Sequence, residues 1–139
     1  VFHDIAAMKR MNKSDYALLE SILSKHNIIW VEGNHDPGLA PPNVKIHTEY
    51  RMENITFRHI ANPVDPSPEI SGHYHPCISL SHKGQKIRKA CFISNQNKII
   101  LPSYGAFTGG LDVRDEAISR IMGRKTNFYI LGQNRVFKI

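Results

Sequence analysis

No stretch of this chain approaches the roughly 20 consecutive apolar residues that a membrane-spanning helix requires, so no membrane span is expected. The first residues, Val1-Phe2-His3-Asp4, lack the long apolar core of a signal peptide, and the chain does not start with Met. A cytoplasmic chain and a fragment of a longer one are the expectations. Cysteine is scarce. Cys77 and Cys91 are the two present, and neither sits in a Cys-x-x-Cys pair. That spacing argues against a thiolate zinc site and a dithiol redox motif. Both are expected to be reduced, small residues in or beside strands. Internal repeats, low-complexity segments and linkers are also missing, so residues 1–139 are read as one domain.

The composition that remains is that of a folded protein, with 41% hydrophobic and 22% charged residues. Basic residues outnumber acidic ones by 18 to 12, for a net charge of +6. That balance suits a polyanion such as nucleic acid, and equally a basic protein with no such partner. Histidine is the unusual count, at eight.

Residues 1–10 read as a loop running into a short helix. Ser14 is a candidate N-cap and Asp15 suits the positive end of a helix dipole. Leu18, Leu19, Ile22 and Leu23 then recur at helical spacing. Lys25 and His26 fall in the last turn, and Asn27 can stop the helix. The apolar run Ile28-Ile29-Trp30-Val31 follows, ending in the turn-rich Glu32-Gly33-Asn34-His35-Asp36-Pro37-Gly38. Helix, buried strand, then polar loop is how an α/β layer presents chemistry at a strand's C-terminal end. Beyond Pro41-Pro42 the pattern turns to β. Strands are predicted at 44–47, around Met52, and at 55–59, 77–80, 87–94 and 98–101. The proline-rich 61–71 stretch is read as a loop, and 105–110 as a Gly-rich turn. A helix is predicted within 112–122, with Ile118 and Met122 on one side. A hairpin over 128–131 and 135–139 closes the chain.

Three pieces of this pattern carry chemistry: Gly33-Asn34-His35-Asp36, His59 at a strand end, and Gly72-His73-Tyr74-His75-Pro76. Histidines at i and i+2 can both face a metal where the backbone bends, and Gly72 and Pro76 favour a bend. Imidazole suits zinc, iron, nickel and copper and tolerates manganese. A His-x-His on a strand also simply shares one face. The Asn34 amide oxygen can bind a hard cation, and His35 beside Asp36 can act as a general acid or base. Taken alone, Asn-His-Asp-Pro-Gly is a turn.

In this order, the three pieces resemble the signature of the calcineurin-like metallophosphoesterases, and the resemblance covers nearly the whole chain. It implies an α/β fold, a metallophosphoesterase-type β-sandwich flanked by helices (αββα), here lacking its first strands. It implies hydrolysis of phosphate esters with two divalent metal ions. Manganese is favoured, with iron or zinc also compatible, because the ligands are nitrogen and oxygen. Asn34, His59 and His73 resemble ligands of one metal and His75 a ligand of the other. His35 resembles the histidine that protonates the leaving oxygen, and Asp36 its orienting partner.

The segment from Leu101 to Asp112, with Arg88 to Phe92, resembles the ligase-associated DNA-damage-response endonucleases, a bacterial subfamily. That implies DNA cleavage, with single-stranded DNA as substrate, and functional association with a DNA ligase and a helicase. Arg88, Lys89, Tyr104 and Phe107 are the expected substrate contacts. Lys83, Lys86, Arg120, Arg124 and Lys125 could extend a phosphate path, or form solvated faces. Ile60 departs from the pattern, where relatives carry Gly after the strand-end histidine.

Two family motifs are absent: Asp-x-His, and the Gly-Asp whose Asp bridges both metals. Val1-Phe2-His3-Asp4 resembles the stretch just after that Gly-Asp. Two divalent ions about 3.5–4 Å apart repel by about 17 kcal/mol at an effective dielectric near 20. Neutral Asn34, His59, His73 and His75 cannot offset that repulsion. The chain as given is therefore expected to hold at most one metal, weakly, and to be inactive. Two rival readings stand beside this one. One is a small-molecule phosphomonoesterase or cyclic-nucleotide phosphodiesterase of the same fold. The other is a non-catalytic remnant of a truncated gene.

Overall fold

A computed structural model of the protein describes residues 4–105 and 108–139. The chain forms two compact units, one running to Tyr50 and the other from Arg51 to Ile139.

The first unit opens with a short helix, α1 (Ala7–Arg10), and a longer one, α2 (Lys13–Lys25). The cap of α2 is Asn12 rather than the expected Ser14. The Asn12 side-chain oxygen accepts the Asp15 backbone N–H at 2.8 Å, and the Ser14 hydroxyl donates to that same oxygen at 2.7 Å. Asn12 has the extended backbone that a cap requires, while Ser14 already lies inside the first turn. The apolar stripe of α2 does not form a core, since the helix buries no residue and Leu18 is 63% exposed. The run after it narrows to a two-residue strand, β1 (Trp30–Val31), which pairs in parallel with β2 (Ile46–His47). Trp30 is buried, while Ile28 and Ile29 are exposed.

The second unit is built on a mixed sheet. Its strands are β3 (Glu49–Met52), where the chain passes between the units, β4 (Ile55–Arg58), β5 (Glu69–Ser71), β6 (Cys77–His82), β7 (Gln85–Ser94), β8 (Lys98–Ile100), β9 (Asn127–Leu131) and β10 (Val136–Lys138). The order is β10-β9-β7-β8-β5-β4-β3, with β6 added on β7. Strand β5 lies between β4 and β8 and runs parallel to both. This corrects the expectation of a loop over 61–71. The prolines end at Pro68, and from Glu69 every residue can donate to a ladder. Strand β7 is long because it changes partners. Its first half pairs with β6, and Cys91–Ser94 pair with β9 and β8.

Helix α3 (Glu116–Met122) is shorter than expected at its start. Asp115 caps it through the Ala117 N–H at 2.9 Å, and Asp112 is engaged in a bridge to Cys77. Gly123, at φ +68°, ends it. The helix buries Ile118, Ile121 and Met122 against Cys91, Ile93, Ile100 and Ile130 of the sheet, with Ala61 and Val113 completing the core. Each fully buried apolar side chain of this kind contributes about 1.5–3 kcal/mol. No helix among the described residues is long and apolar enough to cross a membrane.

Candidate metal centre

Strands β4 and β5 are parallel neighbours in register, Arg58 against Ser71. Their C-terminal ends therefore deliver the next residues, His59 and Gly72, to the same edge of the sheet. The Gly72 N–H donates to the His59 carbonyl at 3.0 Å, extending the ladder by one step. One residue further, His73 Nδ1 lies 3.2 Å from His59 Nε2, with the rings edge to face at 74°. Residues far apart in sequence meet because parallel strands end together.

The loop carrying His73 is strained. The Tyr74 N–H donates to the Gly72 carbonyl at 2.7 Å, closing a three-residue turn about His73 at φ +63°. Positive-φ γ-turns are rare and costly. His75 is left-handed as well, at φ +47°. Such conformations cost about 1–3 kcal/mol each and persist where surrounding structure imposes them.

Here the surrounding structure is the 110–113 segment. The Leu111 N–H donates to Tyr74 O at 3.2 Å, Cys77 N–H to Leu111 O at 2.8 Å, and Val113 N–H to Cys77 O at 2.9 Å. Gly110 packs directly on the His75 carbonyl. A Cβ there would collide with that oxygen and would stand 2.7 Å from the Cys77 sulfur. The Arg88 guanidinium donates to the Gly110 carbonyl and holds the segment from the other side. The Gly-Gly-Leu-Asp sequence is thus a clamp on the histidine loop. Asp112 is held at a pKa of about 2 by hydrogen bonds from the Arg114 side chain and backbone, with the Arg88 charge adding to them.

A buried ionic cluster fixes the chain that follows His59, and the sequence reading missed it. The Glu69 carboxylate, inside the sheet, accepts from the Asn62 N–H at 3.2 Å and pairs with Arg58 at 3.2 Å and Lys98 at 3.6 Å. The Lys98 ammonium donates to the Asn62 and Asp65 carbonyls, each at 2.8 Å, and Arg58 reaches Asp65 at 3.1 Å. Two cations and two carboxylates balance. The available signal was Lys98, a cation opening the apolar run Lys98-Ile99-Ile100.

In the first unit, Asp36 is fully buried and accepts the Gly33 N–H at 2.7 Å. That bond shapes the Gly33-Asn34-His35-Asp36 loop and leaves Asn34 and His35 exposed. Glu32 anchors the far side by accepting the Gly38 N–H at 2.8 Å.

The structure brings His59 and His73 together. His75 follows on the same loop, half-buried. Among the expected substrate contacts, Arg88 and Lys89 are exposed on β7, Tyr104 is fully exposed, and Phe107 lies outside the described residues. Among the described residues, no group of three or more His, Cys, Asp or Glu side chains is gathered as a metal cage. The His59–His73 pair nevertheless fits one cation. Two nitrogens each about 2.0–2.1 Å from a metal stand about 2.9–3.4 Å apart for octahedral to tetrahedral angles. The observed 3.2 Å lies inside that interval.

No family model and no curated protein matches this chain. Among solved structures, the Pseudomonas putida nuclease MPE superposes with a TM-score of 0.66 and 25% identity, covering 86% of this chain and 57% of that one. The chain thus spans little more than half the length of that nuclease. The likeness shows a mixed α/β fold of the metallophosphoesterase-like kind, as the strand-end histidines led one to expect.

Proposed function

We propose that this chain carries the metal-binding part of a phosphoesterase that cleaves nucleic acid, a nuclease acting on DNA phosphodiesters in ligase-associated repair. One observation carries the reading: two imidazole nitrogens 3.2 Å apart at the C-terminal ends of adjacent parallel strands. The likeness to a nuclease supports the substrate class. His59 and His73 would hold one divalent ion, with His75 as a further ligand; Asn34, in the first unit, carries the amide oxygen that the resemblance assigns to the same chemistry. The ion, manganese before iron or zinc, would supply a Lewis acid for the phosphoryl group.

The chain's own side chains do the remaining work. The strained Gly72–Pro76 loop presets the direction of the imidazoles, so little ordering is left when they take up their ligand. His35, exposed at the tip of its loop, has the acid–base chemistry of a group that would protonate a leaving oxygen. General acid help of this kind is worth about 10²–10⁴ in rate. Asp36 keeps that loop in place from beneath.

Manganese binding tests the site directly. Added Mn²⁺ should broaden the imidazole NMR signals of His59 and His73 before those of His26 and His47. His59→Ala or His73→Ala should weaken binding at least tenfold. Unchanged manganese affinity in both variants would remove the basis of the proposal. Because this chain by itself is expected to be inactive, cleavage of labelled single-stranded DNA, set against a chromogenic monoester, decides the substrate in the complete enzyme.

A further inference from the structure

Strands β6 and β7 continue past the sheet as a two-stranded ribbon. At its tip Lys83 and Gly84 have φ of +49° and +76°. This is the two-residue turn whose twist matches that of paired strands. Every residue from Lys83 to Lys89 is exposed, whereas Cys91 and Ile93 two and four positions on are wholly buried. On β6, Ile78 and Leu80 pack against the core, whereas the β7 half of the ribbon is solvated, so core packing does not account for its lysines.

Its charge is one-sided. Between Glu69 and Asp112 the sequence contains no Asp or Glu, yet Lys83, Lys86, Arg88 and Lys89 all fall on the ribbon. Among the described residues, the side chains of Lys83, Lys86 and Lys89 enter no ion pair or hydrogen bond. Cross-strand register puts Lys86 beside Ser81 and Arg88 beside Ser79 on one face. Alternate strand residues stand about 6.7 Å apart. That face is a ladder of cations and hydroxyls, the groups that contact phosphates in nucleic-acid complexes, while Lys89, paired with Ile78, adds an exposed cation from the opposite face at the base of the ribbon. The root of the ribbon is tied to the histidine loop, because Arg88 holds Gly110 and Gly110 packs on His75.

We propose that the β6–β7 ribbon is a nucleic-acid-binding arm that grips the phosphate backbone through Lys83, Lys86 and Lys89 and leads it toward the His59–His73 edge. Charge complementarity and the interleaved hydroxyls select a polyphosphate strand. A tip made of Lys83-Gly84 offers no apolar group for insertion into lipid. The inference deepens the nuclease reading and rests on its nucleic-acid part alone.

The test is equilibrium binding of a labelled single-stranded DNA oligonucleotide at several salt concentrations, with EDTA present so that no turnover enters. Each phosphate contact contributes about 0.7 to the slope of log affinity against log salt for a single strand, and about 0.9 for a duplex. Replacing Lys83, Lys86 and Lys89 by Ala should lower the slope by about 2. Between 50 and 200 mM salt the wild type should then lose about 20-fold more affinity than the variant.

The charge-matched control replaces the exposed Lys9, Lys13 and Lys25 by Ala and should keep the wild-type slope. The triple Lys→Arg ribbon variant should keep it too. Circular dichroism melts confirm that each variant is folded. Equal slope losses in the ribbon and control variants would overturn the arm, as would no loss in the ribbon variant. Lysine-dependent binding to anionic lipid vesicles without oligonucleotide binding would overturn it in favour of a membrane contact. If the ribbon lysines set the slope but His73→Ala leaves manganese affinity intact, the metal-site reading fails and the arm stands. The reverse pair of results removes the arm and leaves the metal site.

Discussion

At the scale of single residues, the histidine loop depends on backbone contacts that keep it in costly shapes. His73 and His75 sit in left-handed conformations; the 110–113 segment hydrogen-bonds Tyr74 and Cys77 on either side of His75, and the Gly72 N–H is bonded to His59 ahead of His73. Gly110 is the point of closest approach, and no side chain fits there. Gly110→Ala should cost about 1–3 kcal/mol of stability. It should also shift the imidazole resonances of His73 and His75; urea unfolding and histidine NMR check both. Asp112 belongs to the same clamp. Its folded pKa of about 2 lies below the ordinary 3.8, so its contribution is complete above pH 4. That contribution should be lost as pH falls from about 4 to about 2. Asp112→Asn should flatten this part of the acid-unfolding curve and leave the curve above it unchanged in shape. Cys91, pushed up to about 12 chiefly by burial, stays a thiol across that range and beyond.

At the scale of elements, the parallel pairing of β4 and β5 is what turns two distant histidines into one pair. The short β5 survives in mid-sheet because its one carboxylate is neutralised. Glu69 faces Arg58 and Lys98, and Lys98 in turn satisfies two carbonyls of the following loop. Removing one member of a buried, balanced cluster leaves a charge without its counterpart. Glu69→Ala should therefore destabilise the protein by about 3–5 kcal/mol. The denaturation midpoint measures this, and an unchanged midpoint would mean that the cluster is solvated. Proline spacing hid this strand from sequence reading. The predicted loop over 61–71 is correct as far as Pro68, and the strand begins where the last proline ends.

At the scale of the molecule, the main hydrophobic cluster among the described residues lies in the second unit and is closed by α3. Ile118 is its most buried helical side chain, at 1% exposure. Ile118→Ala should cost about 2–5 kcal/mol, read from thermal or urea unfolding. The helix was legible from Ile118 and Met122 at i and i+4, although its start was not. Asp112 reads as a helix opener in sequence, but in the fold its backbone bridges Cys77, and Asp115 takes the cap. The stripe on α2 was equally legible, yet Leu18 and Ile22 lie exposed. Periodicity reports which face is apolar and carries no information on whether anything covers it.

The amino-acid order alone determined the α/β alternation, the closing hairpin, and the residues with metal-binding chemistry. These follow from local periodicity, turn chemistry and donor type, all short-range properties. The tertiary structure decided that His59 and His73 meet. It also decided that Gly110 must lack a side chain, and that Glu69 and Lys98 are a buried pair. Each of those depends on which strands become neighbours and in what register, a relation between segments that no local pattern encodes.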